Sequence, residues 1–132
     1  MKIKQNDPPR EFEVGFGPKI VMKDCAHLEL EADEQITFKT PSGGQYDVAR
    51  KNWGFYATPS INGRLKRFSL RTVLVKNRLG NFFVMIVESG CEKQFDSYLE
   101  DEGLEVCGWL DDDQVLAKID RALNTSVSAI IS

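Results

Sequence analysis

Residues 70–88 read LRTVLVKNRLGNFFVMIVE, and this stretch decides the fold. Its two apolar runs, Leu70–Lys76 and Phe82–Glu88, are rich in Val, Leu and Phe, which are residue types that favour β-strands. The residues between them, 77–81, include a glycine and are sufficient to close a turn. The stretch therefore predicts an antiparallel β-hairpin.

After Glu88 the apolar spacing changes from that of a strand to that of a helix. Residues 90–102 predict a helix ending at Gly103, and Ser89 followed by Glu92 matches the capping-box pattern of a helix start. Residues 104–110 predict another strand, which should run parallel to the strand before the helix. A last helix carries one apolar stripe, formed by Val115, Leu116, Ile119 and Leu123.

The first sixty residues predict short, half-buried strands. Apolar and polar residues alternate in the segments 12–16, 20–22, 27–31 and 35–40. The turn residues 41–44 lead from the last of these to a strand around 46–48, which predicts a second hairpin. Asn62-Gly63 predicts a type I′ turn, because both residues tolerate positive φ.

These elements predict a single α+β domain covering residues 1–132. Five to six mostly antiparallel strands form a curled sheet or small open barrel, followed by a C-terminal β-α-β-α unit. Residues 1–10 are expected to be a loose N-terminal arm, 11–88 the β-rich part and 89–132 the helical part. The alternative architecture is a closed, small Sm-like β-barrel with added helices, of the kind that forms rings and binds RNA.

Composition and cysteine usage limit the classes of protein. The chain is 42% hydrophobic and 28% charged, which predicts a packed core and excludes intrinsic disorder. The amino terminus lacks the apolar segment of a secretion signal, and the longest apolar run, 82–87, is too short to span a bilayer. Cys25, Cys91 and Cys107 are widely spaced and odd in number, which favours free thiols. We expect a cytoplasmic protein with no membrane partner.

Charge is distributed unevenly along the chain. Residues 45–80 carry eight basic and one acidic residue, whereas residues 81–132 carry three basic and eleven acidic ones. Such asymmetry marks either an anion-binding face or two segments that contact each other, within one chain or between copies.

The segment from Arg50 to Arg71 combines cations, aromatic rings and turn residues. Aromatic faces stack on planar groups, and Arg and Lys bind negative groups. The segment therefore predicts a non-catalytic binding or assembly module that engages an anionic small molecule or an acidic protein surface. The candidate ligand-binding residues are Arg50, Lys51, Trp53, Tyr56, Asn62, Arg64, Arg67 and Arg71.

A structural interpretation of the same segment competes with this hypothesis. Trp53, Phe55 and Phe68 could be core residues, and the cations an ordinary solvated strand edge. A purely structural homo-oligomer, assembled through a sheet edge, would need no ligand.

Two further functions remain open from the sequence. A nucleic-acid-binding small barrel is less favoured, because the sequence pI is about 5.2. A small enzyme acting on a polar, phosphorylated or nucleotide-sugar metabolite would use Tyr56, Asp47, His27 or Cys91 as its reactive group. No cofactor motif is present, and Cys25 with His27 is too few ligands to predict a metal site.

Overall fold

The structure is a computed structural model that describes the backbone of residues 1–131 and the side chains of residues 1–124. The fold is α+β, as predicted, with three helices that lie mostly toward the C-terminus. Its eight strands form three antiparallel sheets, and none of these sheets is closed. The alternative of a closed barrel therefore does not apply.

The elements follow one another along the chain as eleven segments. The strands are β1 Lys2–Val14, β2 Ile20–Glu29, β3 Gln35–Lys39, β4 Gln45–Lys51, β5 Gly54–Ala57, β6 Leu70–Lys76, β7 Phe82–Glu88 and β8 Glu105–Trp109. The helices are α1 Arg64–Arg67, α2 Glu92–Glu102 and α3 Asp113–Ile131.

The core forms where α2 covers the sheet ordered β7-β6-β8. The predicted hairpin is confirmed with the same bounds, and β6 pairs with β7 along its whole length. Alternate side chains of β6 point to the helix, so Val73 and Val75 are fully buried together with Leu99 of α2. Strands β7 and β8 are both antiparallel to β6, so they run parallel to each other with β6 between them.

Helix α2 ends where the sequence predicted and begins differently. Gly103 takes the left-handed conformation at φ 66, and a Cβ there would lie 2.8 Å from Nε of Arg78. The predicted capping box is wrong, because the helix begins after Cys91 and Ser89 makes no capping hydrogen bond. The Glu92 carboxylate instead accepts a hydrogen bond from the Gly90 N–H at 2.8 Å.

The middle sheet, ordered β3-β4-β5, contains the second predicted hairpin. Its turn at 41–44 and its pairing of Gln35–Lys39 with β4 are as expected. The Asn62-Gly63 prediction is partly wrong, because these residues lie in a turn that leads into α1 and Gly63 has φ −130. The type I′ geometry is not needed, since no strand follows to close a hairpin.

The expected loose arm is also wrong, because residues 2–10 belong to β1. Strand β1 pairs with β2 to form a two-stranded ribbon, here called the β1–β2 ribbon. Pro8 and Pro9 lie in an irregularity where the pairing register shifts between Gln5 and Arg10. Proline is tolerated there because the bulged backbone makes no regular ladder hydrogen bonds.

Contacts at both ends join the ribbon to the rest of the chain. The N-terminal amino group lies 3.1 Å from Glu34, and the Phe16 N–H donates to the Glu102 carboxylate at 2.6 Å. Within the described residues, no helix is both long and apolar enough to cross a bilayer.

Candidate functional site

A stacked aromatic pair lies outside the core at the β4–β5 turn. Trp53 stacks on Tyr56 with ring centroids 5.9 Å apart and an interplanar angle of 27°. Trp53 is 68% exposed, and Phe55 and Tyr56 are also exposed. The structural interpretation that places Trp53 and Phe55 in the core is therefore wrong.

The middle sheet separates the predicted cations onto its two faces. Tyr56 pairs with Ala49, so it shares a face with Lys51, whereas Arg50 pairs with Phe55 on the opposite face. The Arg50 guanidinium lies 5.9 Å from the centroid of the Phe55 ring. Its Nη1 is buried without a hydrogen-bond partner among the described residues.

Lys51 is already paired within the chain. Its ammonium group forms a close ion pair with Asp33, and this hydrogen bond raises the pKa of Lys51 above 10.5. The pair joins β4 to the loop before β3. Because Asp33 already neutralises its charge, Lys51 is less able to bind an anionic partner.

Helix α1 presents three exposed cations, and one of them contacts the chain just after β5. Leu65 is fully buried and anchors the helix, while Arg64, Lys66 and Arg67 are exposed. The Arg64 guanidinium donates to the Thr58 hydroxyl at 3.2 Å, and Thr58 lies two residues beyond Tyr56. Among the described residues, none of these three cations has a carboxylate within ion-pair distance.

Asn62 and Arg71 face the acidic C-terminal third of the chain. The Asn62 amide donates to Asp113 at 3.1 Å, and Arg71 Nε donates to Asp111 at 3.0 Å. Asp111 is 2% exposed, and its hydrogen bond raises the pKa of Arg71 above its usual range. The guanidinium also lies 4.0 Å from the centroid of the Trp109 ring. At least one cation of the basic segment 45–80 therefore pairs with the acidic C-terminal segment of the same chain.

The structure thus divides the eight candidate residues into three groups. Trp53 of the β4–β5 turn stacks on Tyr56 of β5, and Arg64 and Arg67 lie on α1. These four residues and Lys66 are called the basic aromatic surface from here on. Lys51 adjoins this surface but is paired, and Arg50 lies on the opposite sheet face. Asn62 and Arg71 contact acidic residues of the same chain.

Sequence reasoning missed a polar cluster at the bulge of the β1–β2 ribbon. Asp24 accepts a hydrogen bond from His27 at 3.1 Å and lies 3.5 Å from Arg10. The His27 hydrogen bond is the largest cause that lowers the pKa of Asp24 below 3.8. Local spacing could not reveal the cluster, because Arg10 belongs to the segment expected to be a loose arm.

Two of the four candidate groups of the enzyme hypothesis hydrogen-bond to other residues. His27 contacts Asp24, while the buried Asp47 accepts hydrogen bonds from Thr37 and Gln45. No hydrogen bond among the described residues joins any two of Tyr56, Asp47, His27 and Cys91. The described part of the chain also contains no group of three His, Cys, Asp or Glu side chains that could hold a metal ion.

Two clefts lie away from the basic aromatic surface. One, of about 360 Å³, lies between the ribbon loop, the β6–β7 turn and the end of α2, and Phe16, Leu79 and Glu102 contribute to its lining. The other, of about 550 Å³, lies at the ribbon bulge beside Arg10 and His27. Neither cleft is lined by a residue of the basic aromatic surface.

Comparisons of the chain with protein-family models, with curated proteins and with solved structures give no match.

Proposed function

We propose that this protein is a non-catalytic binding and assembly module that engages an anionic partner through the basic aromatic surface. The observation that carries the proposal is the presence of three exposed cations on α1, of which Arg64 donates a hydrogen bond to Thr58, two residues beyond the stacked Tyr56. Cations that lack a carboxylate partner are available to bind one from another molecule.

An acidic protein surface suits this arrangement better than a small anion. Small-molecule sites are usually concave, and neither described cleft includes these cations. Exposed Trp, Tyr and Arg are also the residue types that contribute most to protein interfaces. The three unpaired cysteines suit a module that acts in the cytoplasm.

The test is thermal unfolding in the presence of an oligo-glutamate peptide, inorganic phosphate or a single-stranded oligonucleotide. A ligand that binds only the native state raises the melting temperature by mass action. We expect the peptide to stabilise the protein, and the shift to shrink as salt screens the charges.

Two pairs of charge reversals separate a local site from a general charge effect. Arg64→Glu with Arg67→Glu should abolish the shift caused by the peptide. The matched control, Lys93→Glu with Lys118→Glu, changes the net charge equally on α2 and α3 and should retain it. Equal losses in both pairs, or no shift with any probe, would exclude the proposed site.

Trp53→Ala distinguishes stacking from charge. If the ring contributes, this variant binds the peptide about fivefold more weakly, as expected for loss of about 1 kcal/mol of aromatic contact. Unchanged affinity would assign binding to the cations alone.

A further inference from the structure

Strand β7 forms an open outer boundary of the core sheet. The sheet order β7-β6-β8 leaves one side of β7 without a neighbouring strand. Its seven residues pair with β6 in unbroken register, so its outward backbone N–H and C=O groups form a straight row. Such a row is a template for another strand.

The outer residues of β7 are apolar and exposed. Phe82, Phe83 and Val84 are 60%, 44% and 61% exposed. From Phe82 to Val87 the strand contains no charged residue, no proline and no bulge. Charges, prolines and bulges are the devices that normally prevent edge pairing.

The other outer strands of the two three-stranded sheets do carry such protection. Strand β8 has five residues, begins at the charged Glu105 and shifts register against β6. Strand β5 has only four residues, and β3 ends in Lys39. Strand β7 is longer than these three strands, and over its first six residues it carries none of these protections.

We propose that a second copy of this chain pairs with β7, so that two core sheets join into one six-stranded antiparallel sheet. A two-fold axis perpendicular to the sheet makes the two β7 strands antiparallel and keeps equivalent faces together. Phe82, Val84 and Ile86 of both copies then form one continuous apolar face. Residues 82–87 carry no charge that would favour a partner of opposite charge. The backbone N–H and C=O groups of one β7 can pair with those of an identical β7 strand. This contact is independent of the basic aromatic surface.

Sedimentation or light scattering of Val84→Lys tests the pairing. The native protein should have twice its chain mass of 14.9 kDa, and Val84→Lys should be monomeric, because each copy would carry a charged lysine in the middle of the pairing strand. Leu79→Lys is the matched control, since Leu79 is 80% exposed in the adjacent turn and lies outside the strand. It should remain dimeric.

A cysteine scan tests the same contact without introducing charge. In a background in which Cys25, Cys91 and Cys107 are serine, single cysteines at positions 82 to 86 are oxidised in turn. The position nearest the two-fold axis should cross-link to itself most efficiently, and efficiency should fall on either side.

Three results would overturn the pairing: a native protein that stays monomeric at every concentration, a dimer that persists in Val84→Lys, or a scan without cross-links. The Arg64→Glu, Arg67→Glu variant should stay dimeric. A monomeric native protein that still binds the acidic peptide would remove the β7 contact and leave the proposed function intact.

Discussion

The β1–β2 ribbon and the β7-β6-β8 sheet both contain strands with several apolar residues, but they differ in what covers them. In β6, alternate residues are buried beneath α2, whereas β1 and β2, which are fully described, contain no buried residue. On one face of the ribbon, Phe12 lies opposite Met22 and Val14 opposite Ile20, and all four are exposed. Apolar residues in a strand therefore become buried only where a neighbouring element covers them.

This difference concerns stability as well as exposure. A two-stranded ribbon in water is marginal unless another element packs on it. The core sheet has its own helix, while the ribbon is held by contacts at its ends. We expect the two regions to respond very differently to equivalent substitutions.

The largest expected effect comes from removing a side chain beneath α2. Leu99→Ala should lower the free energy of unfolding by about 2–4 kcal/mol, because it leaves a cavity between Val73 and Val75 of the sheet and the helix. The matched ribbon variant, Phe12→Ala, should cost less than about 1 kcal/mol. Urea denaturation followed by circular dichroism measures both. Equal costs would mean that the ribbon face is packed in solution.

An intermediate effect is expected from the polar contacts of the two regions. Asp111→Asn removes the buried partner of Arg71 and should cost about 2 kcal/mol, below the usual value for a buried pair because Arg71 is one-third exposed. Asp24→Asn in the ribbon breaks an exposed cluster and should lower the free energy of unfolding much less than Asp111→Asn does. If Asp111→Asn unfolds at the same urea concentration as the native protein, the buried pair does not stabilise the core.

The smallest effect is a loosening of the ribbon in acid. The pKa of Asp24 is lowered below 3.8 by its hydrogen bond with His27, and that of Glu34 below 4.5 by the hydrogen bond from the Glu31 N–H. Since both folded pKa values lie below the unfolded ones, the stabilisation is complete above about pH 4.5 and is lost as pH falls through the folded values.

Amide exchange, corrected for its intrinsic pH dependence, measures this loosening. Protection in β1 and β2 should fall roughly twofold to fivefold in acid, while protection in β6 stays unchanged. An equal decrease in both sheets would show that acid acts on the whole fold and not on the ribbon.

The sequence predicted best those elements that are specified by adjacent residues. The β6–β7 hairpin was found with its observed bounds because its apolar runs are long and its turn is short. The end of α2 was found because Gly103 is suited to the left-handed position. In β1 the pairing register shifts at Pro8 and Pro9: Gln5 pairs with Ala26, but Arg10, five residues later, pairs with Asp24, only two residues earlier in β2. A short stretch of the sequence therefore does not reveal that β1 is one continuous strand.

The sequence predicted which residues belong to the candidate surface, but it did not predict which residues they contact. Trp53 and Tyr56 were recognised from their neighbourhood of cations, and they stack at the surface. The partners of Arg71 and Asn62 lie 40 and 51 residues away in the chain. Contacts over such separations depend on how the sheets and helices fold together, which one sequence does not specify.

The two tryptophans report optically on different regions of the molecule. Trp109 lies beneath the Arg71 guanidinium and edge-on to Phe95, so its emission follows the integrity of the core sheet. Trp53 lies in water, so its emission is red-shifted and responds when something covers the basic aromatic surface. Variants that keep only one indole would therefore let a single fluorimeter separate occupancy of the surface from melting of the core, without any attached dye.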